Sequence, residues 1–383
     1  VRAEYRKTDA GVIPKDWQVL KINDVCKLIN GRGFKPHEWE ASGLPIIRIQ
    51  NLNGSEDFNF YTGAYDKKIE IEPGQLLFAW SGSRGTSFGP HIWNGPLGLL
   101  NYHTWKVVVQ EERISQSYFR HALKRLTTFI EERAHGASAL VHVQKWEMEG
   151  FKFPAPPTVL EQEAIAGALS DADALIESLE QLLTKKRQIK RGAMQELLTG
   201  KRRLPGFKGK WITTDLARVC SMKSGQSITN ADINWYSEFP CYGGNGLRGY
   251  TQTFTHNGQF SLIGRQGALC GNVSFVEGRL FASEHAIVVT ALPHVAIKWL
   301  TLVLWKMNLN KYSESSAQPG LSVSKLLSLE INCPPGRDEQ TAIASVLSDM
   351  DAEIAALEEK LTKAKALKQG MMQELLTGRI RLV

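Results

Sequence analysis

The sequence predicts an α+β chain in which two pseudo-symmetric globular domains are separated by a two-helix antiparallel coiled coil. Three observations lead there. Residues Leu160–Leu204 and Asp338–Leu382 are near-copies that align without a gap: Glu161 matches Glu339, Ser170 matches Ser348 and Met194–Gly200 matches Met372–Gly378. Copies so far apart are too widely spaced for a solenoid and mark a duplicated domain-plus-helix module. Within each copy, apolar residues alternate four and three apart, which is the seam of a coiled coil. Finally, acidic residues (Glu161, Glu163, Asp171) precede basic ones (Lys186, Arg187, Lys190) along the helix, as the helix dipole favours. Laying such helices antiparallel sets the acidic half of one against the basic half of the other.

The seam runs through Ile165, Leu169, Ala172, Ile176, Leu179 and Leu183, and again through Ile343, Leu347, Met350, Ile354, Leu357 and Leu361. Neither copy has an interior proline, and each stops at Thr-Gly, at Gly200 and Gly378. About 39 residues at ~1.5 Å each make a rod of roughly 58 Å. The roughly 135 residues between the copies fold to a radius of gyration of about 14 Å. That domain caps one end of an antiparallel pair, whereas in a parallel pair it would have to bridge the whole rod. Gly192 and Gly370 sit mid-helix, where each costs roughly 1 kcal/mol relative to alanine. Their matched placement predicts close backbone approach, in the rod or to a partner.

From the N-terminus, Val1–Ala10 is polar and is expected to be a loose tail. Gly11–Trp17 opens a first domain of short apolar runs (Pro45–Ile49, Leu76–Trp80, Trp105–Val109) broken by Gly, Ser and Asn. These predict strands, followed by a helix near Ser115–Arg133. The second domain repeats the plan: Trp211 answers Trp17, Val219-Cys220 answers Val25-Cys26, and His285 answers His103. The apolar stretch Ile297–Met307 answers the helical patch and is expected to be a buried helix, too short to span a bilayer. The domain map is therefore 1–157, 158–200, 201–335 and 336–383, with the helices nearly alike and the globular parts diverged. A common assembly role preserves the former, and different targets let the latter drift.

Composition is that of an ordinary soluble protein, with 43% apolar and 22% charged residues. The formal net charge of +7 is compatible with an acidic polymer as partner. Five scattered cysteines without a C-x-x-C pair argue against a zinc site or a disulfide framework and fit a reducing cytoplasm. No signal peptide is visible.

Catalytic signatures are missing. Gly244–Gly249 spells G-x-G-x-x-G, but Tyr250–Phe254 reads as a strand where a dinucleotide loop needs a helix, so a glycine turn is expected. Asn332–Gly336 is read as a linker because its repeat partner is Phe153–Pro157. There is no H-E-x-x-H, P-loop or G-x-S-x-G motif. His103 and His285, beside apolar strands, are expected to be hydrogen-bonded structural histidines. What remains are matched loops rich in Arg, Lys, Asn, Gln and Ser. Arginine and lysine suit phosphates and guanine edges, and Asn or Gln suit adenine. The candidate DNA contacts are Arg32, Lys35, Arg48, Asn51, Ser83 and Arg84 in the first domain. In the second they are Lys223, Gln226, Asn245, Arg248, Arg265 and Gln266.

Over nearly its whole length the chain resembles the specificity subunit of type I restriction–modification enzymes. The resemblance is carried by Thr8 with Gly11–Trp17, by Tyr242–Gly246 with Gly249-Tyr250, and by the Pro-Pro…Glu-Gln…Ile junctions at Pro156 and Pro334. The Gln-Glu-Leu-Leu-Thr-Gly helix ends at Gln195 and Gln373 also match. The first domain departs from the pattern, with Arg48–Leu52 where the second has Tyr242–Gly246. The resemblance implies two target recognition domains, each reading one half of a bipartite double-stranded DNA site, with the helices setting the gap. It implies two methyltransferase (modification) subunits docked on the chain and restriction/translocase subunits joining them. It also implies that S-adenosylmethionine, ATP and Mg belong to those partners, with no catalytic, cofactor or metal residue here. Two rivals are a protein–protein scaffold with a dimerising coiled coil and a self-sufficient nuclease or methyltransferase, the latter disfavoured by the missing motifs.

Overall fold

In a computed structural model the chain is described over residues 5–133, 140–267, 269–313 and 320–383. Both copies of the repeat form unbroken 39-residue helices, Val159–Leu197 and Arg337–Leu375. Each is followed by a glycine in the left-handed region, φ 71° at Gly200 and 70° at Gly378. A Cβ at Gly378 would come within 2.6 Å of Pro14, and one at Gly200 within 2.9 Å of Trp211. The stop therefore needs glycine for conformation and for space.

The chain divides into two compact units, Val1–Leu179 with Lys360–Val383, and Glu180–Glu359. The domain map expected separate helical segments. Instead each unit takes half of each long helix, because an amphipathic stripe is stable only where something covers it. In the first unit Glu161 pairs with Arg381 and Asp173 with Lys368. In the second, Arg203 pairs with Glu339, Lys190 with Asp351, and Arg187 with Glu358 at 2.6 Å. One number rises as its partner's falls, so the half-helices run antiparallel within each unit. Their apolar ends enter the cores: Ile165, Leu169, Leu375 and Leu376 in the first unit, and Ile343, Leu347, Met194 and Leu197 in the second. Further along, Leu183 and Leu357 are buried while Ile176, Leu179, Ile354 and Leu361 are half-buried.

The two units share strand register. In the first, Cys26–Asn30 pairs antiparallel with Thr104–Val109, which pairs with Leu76–Ala79. In the second, Cys220–Ser224 pairs with Ala286–Ala291, which pairs with His256–Gly264. Cys26 faces Val109 as Cys220 faces Ala291, and Ala79 faces Thr104 as Gly264 faces Ala286. A parallel pair recurs too: Leu44–Ile47 with Gly98–Leu100, and Phe239–Gly243 with Val273–Ala282. The helices Gln116–Arg133 and Ile297–Lys306 pack on these sheets. Burial pushes the Cys26 and Cys220 thiols up to about 12, so both stay protonated packing residues.

Two expectations are corrected. Tyr5–Thr8, within the predicted tail, is a strand hydrogen-bonded to Gly11–Pro14. The Gly11 turn lets the segment fold back, and Arg6 Nη2 ties it to the Trp17 carbonyl at 2.7 Å. Close backbone approach at Gly192 and Gly370 within the rod is also absent: a Cβ at either would meet nothing within 4 Å. No described helix is long and apolar enough to cross a membrane.

Candidate nucleic-acid interface

Each unit contains a crossroads where five chain segments meet, and five backbone hydrogen bonds define it. In the first unit they run from Gly31 N to Thr104 O (3.3 Å), Arg32 N to Leu100 O (2.9 Å), Asn101 N to Ile47 O (3.0 Å), Trp80 N to His103 O (3.2 Å) and Val143 N to Trp80 O (3.0 Å). In the second they run from Gly225 N to Ala286 O (2.9 Å), Gln226 N to Ala282 O (2.9 Å), Ser283 N to Tyr242 O (2.8 Å), Arg265 N to His285 O (2.8 Å) and Leu321 N to Arg265 O (3.0 Å). The two sets correspond bond for bond. Glycine is required at the same corner of both. A Cβ at Gly31 would lie 2.1 Å from the Asn101 carbonyl oxygen, and one at Gly225 2.2 Å from that of Ala282.

This geometry aligns the domains where sequence comparison is weakest. Ile47 answers Tyr242, so Arg48 stands where the second unit has Gly243. Arg32 answers Gln226, Trp80 answers Arg265, Tyr102 answers Glu284, and His103 answers His285. The backbone is shared, and apart from that histidine and the corner glycine the matched side chains differ.

In the second unit the fold gathers the candidates. Lys223 ends the strand beside Ser224, whose hydroxyl accepts from Arg265 Nη1 at 3.1 Å. Gln226 forms a bridge with Ser283, and Gln266 Oε1 lies 3.2 Å from His285 Nδ1. Gly243 and Gly246 close the hairpin whose turn exposes Asn245, so the G-x-G-x-x-G stretch is a turn with a strand after it. Arg248 follows on that strand and donates to Asn230 Oδ1 at 2.8 Å.

In the first unit the candidates are less uniform. Lys35 and Arg84 are exposed on turns. Ser83 is half-buried, and its carbonyl accepts from the amides of Thr86, Ser87 and Phe88. Arg48 reaches the crossroads and lies 5.1 Å from the Trp39 ring. Two candidates are engaged by their own surroundings. Arg32 is ion-paired to Glu38 and held between Phe34 and Tyr61, 4.8 and 4.7 Å from their rings, with its Nη1 buried and unpaired among the described residues. Asn51 is 6% exposed; its amide donates to the Ser55 and Asp57 carbonyls and its oxygen accepts from Arg48 N, each at 3.0 Å. Those hydrogen bonds make Asn51 a residue that shapes its own loop.

The histidines divide. His103 is half-buried beside Trp80 and Tyr102, with ring centroids 5.5 and 3.7 Å away, and desolvation holds its imidazole below the ordinary value. His285 is exposed and hydrogen-bonded to Gln266, with Glu284 3.3 Å from its other nitrogen, so it belongs to the surface and departs from the structural role expected of it. Sequence reasoning did not single out Tyr102 and Glu284, whose signal is adjacency to the matched histidines, or Trp80, which gives no signal beyond ending an apolar run.

Among the described residues, more than half of the buried polar side-chain atoms without a partner lie here: Arg32 Nη1, Arg48 Nε, Asn101 Oδ1 and His103 Nδ1 in one unit, Arg248 Nη1, Ser283 Oγ and Glu284 Oε2 in the other. Such atoms demand a partner. By contrast a mostly apolar cavity of about 860 Å³, lined by Tyr118, Phe129, Phe153 and Met372, touches none of these loops. Its Arg125 and Lys152 are already paired with the Leu376 carbonyl and Asp9.

A family model described as the type I restriction modification DNA specificity domain matches residues 14–191 and again 208–366, one crossroads in each match. The chain belongs to that family. Similar curated relatives of this specificity-domain chain include the EcoprrI specificity subunit of Escherichia coli, 44% identical over 140 residues. The match covers 36% of this chain and 35% of that one. The EcoBI specificity subunit, also from E. coli, is 26% identical over 60% of this chain and 49% of its own length. The chain thus spans half or less of these relatives. Among solved structures, the S subunit of the type I restriction–modification system of M. genitalium superposes with a TM-score of 0.66 at 15% identity, covering 98% of this chain and 99% of that one. A second chain, from a study of complex assembly and conformational transition of the type I system, gives 0.55 at 15% identity, covering 96% and 99%. At such identity these likenesses speak to fold.

Proposed function

We propose that this chain is the non-catalytic DNA-recognition subunit of a type I restriction–modification complex. Each unit reads one half of a bipartite double-stranded site through its crossroads loops. The observation that carries the reading is the duplicated specificity domain with one backbone crossroads and two different sets of side chains. A protein that bound one sequence twice would have no cause to hold the backbone constant and change most of the side chains around it. Methyltransferase subunits dock along the helices and domains and bring S-adenosylmethionine. Restriction/translocase subunits bring ATP and Mg chemistry, and the assembly works in the cytoplasm. This chain then contributes binding, orientation and spacing, and holds no cofactor of its own. The scaffold alternative offers no reason for unsatisfied polar atoms to cluster on matched loops.

Binding of the assembled complex to a duplex carrying the split site should weaken steeply with salt. If about six or more phosphates are contacted, affinity should fall roughly 10³-fold or more between about 50 and 200 mM salt. A shallow salt dependence with no preference among duplexes would favour the scaffold. The helices set the gap in this reading. Inserting one heptad into both preserves the seam and adds about 10 Å, close to three base pairs at ~3.4 Å each. The methylated motif should then carry a gap longer by about that amount, and an unaltered gap would remove the ruler.

A further inference from the structure

We propose that the second unit reads a G·C base pair in the major groove through Arg265 and Glu284, and that the first unit has no equivalent reader. This rests on the proposed DNA-recognition function. Arg265 follows the strand His256–Gly264 and Glu284 lies in the turn before Ala286–Ala291, and their segments meet at the crossroads, where the Arg265 amide donates to the carbonyl of His285 at 2.8 Å. Among the described residues the Arg265 guanidinium makes one hydrogen bond, from Nη1 to Ser224 Oγ at 3.1 Å, which steadies the side chain and leaves most of its donor fork for a ligand. Glu284 has one oxygen 3.3 Å from His285 Nε2, and the other is buried with no partner among the described residues.

An arginine fork and a carboxylate carried by the two segments that join at one crossroads match the two halves of one base pair. Guanine presents two acceptors, O6 and N7, to the arginine; cytosine presents the N4 amino donor to the carboxylate. A phosphate-only role does not suit this pair, because Glu284 would repel the backbone that Arg265 attracted. At the same two positions the first unit has Trp80 and Tyr102. The Trp80 indole donates to the Tyr102 carbonyl at 2.9 Å, and Tyr102 stacks on His103. That is an uncharged aromatic face with neither the fork nor the carboxylate.

The test uses the full chain assembled with its methyltransferase subunits and duplex libraries randomised separately in each half-site. The unaltered assembly should select G·C at one position of one half. Glu284→Gln replaces an acceptor with a mixed group at a half-exposed site, and Arg265→Lys removes the fork while keeping the charge. Each should lower selection at that position by about 5- to 150-fold while leaving selection in the other half intact. Tyr102→Phe should leave the G·C selection unaltered. Three results would overturn the assignment: unaltered selection in both variants, weakening spread evenly over all sequences, or loss of the G·C preference with Tyr102→Phe. An unaltered assembly indifferent to sequence in both halves would instead remove the recognition function on which the assignment rests. Circular dichroism of each variant separates lost folding from lost reading.

Discussion

Replacing Arg381 with alanine is expected to destabilise the first unit by about 3 kcal/mol, the lower end of the range for breaking a buried ion pair. Glu161 is 1% exposed and sits in the first turn of its helix, and Arg381 grips both its oxygens, one at 2.7 Å from Nη2. Removing the guanidinium strands a carboxylate where water does not reach. The lower end applies because Arg381 is itself 28% exposed and also leans on Asp16 at 3.1 Å, so part of its charge is solvated. Amide hydrogen exchange should show the loss in the first unit and spare the second. Arg203→Ala, which strands Glu339, should do the reverse. The double variant Glu161→Leu with Arg381→Leu should recover much of the loss, because an apolar pair carries no unpaired charge. A first unit indifferent to Arg381→Ala would mean that the junction is held by packing alone.

Acidification should weaken the first unit selectively. His121 is 1% exposed, hydrogen-bonded to Ser170 at 3.2 Å, and faces Arg120, Lys124, Asp173 and Lys368. Burial first, and the neighbouring cations second, hold its imidazole down to about 4 from 6.5, with Asp173 only partly opposing them. The unfolded chain takes up a proton at His121 below pH 6.5 while the folded chain refuses it until about pH 4. Stability is therefore fully present above pH 6.5 and falls by about 3 kcal/mol as the pH drops to about 4. Asp173, held below its ordinary value despite burial by Lys368 and Lys124, adds a further loss below pH 3.8. The equivalent residue in the second unit is Leu302, which does not titrate, and the second unit's own lowered histidine, His256, is less buried. Melting followed from pH 7 to pH 4 should separate the units, and His121→Phe should flatten the first unit's response. Parallel acid curves for the two units, or an unaltered slope in His121→Phe, would rule out this histidine as the cause.

Much of the architecture was legible because it is written in local pattern. Heptad spacing announces a seam, Gly200 and Gly378 announce helix stops, and a gapless repeat announces two modules; each depends on residues near one another along the chain. The site was legible in outline only. Residue type and loop position single out Lys223, Gln226, Arg265 and Gln266, which the fold brings to one crossroads region. The same criteria carry no sign that Glu38 pairs with Arg32, or that the Ser55 and Asp57 carbonyls accept from Asn51. They were silent at Trp80 and Glu284, whose role comes from what stands across the crossroads.

By itself the sequence determined the long helices, their seam, their stops and the doubled plan, since these follow from spacing and backbone preference within a few turns of chain. Tertiary structure alone decided which side chains remain available to a ligand. That choice depends on hydrogen bonds between segments far apart, such as Gly225 with Ala286 and Ser283 with Tyr242, which bring five segments to one point. A donor already satisfied at that point cannot bind a base, and one left unsatisfied must find a partner. Spacing along the chain carries no record of that difference.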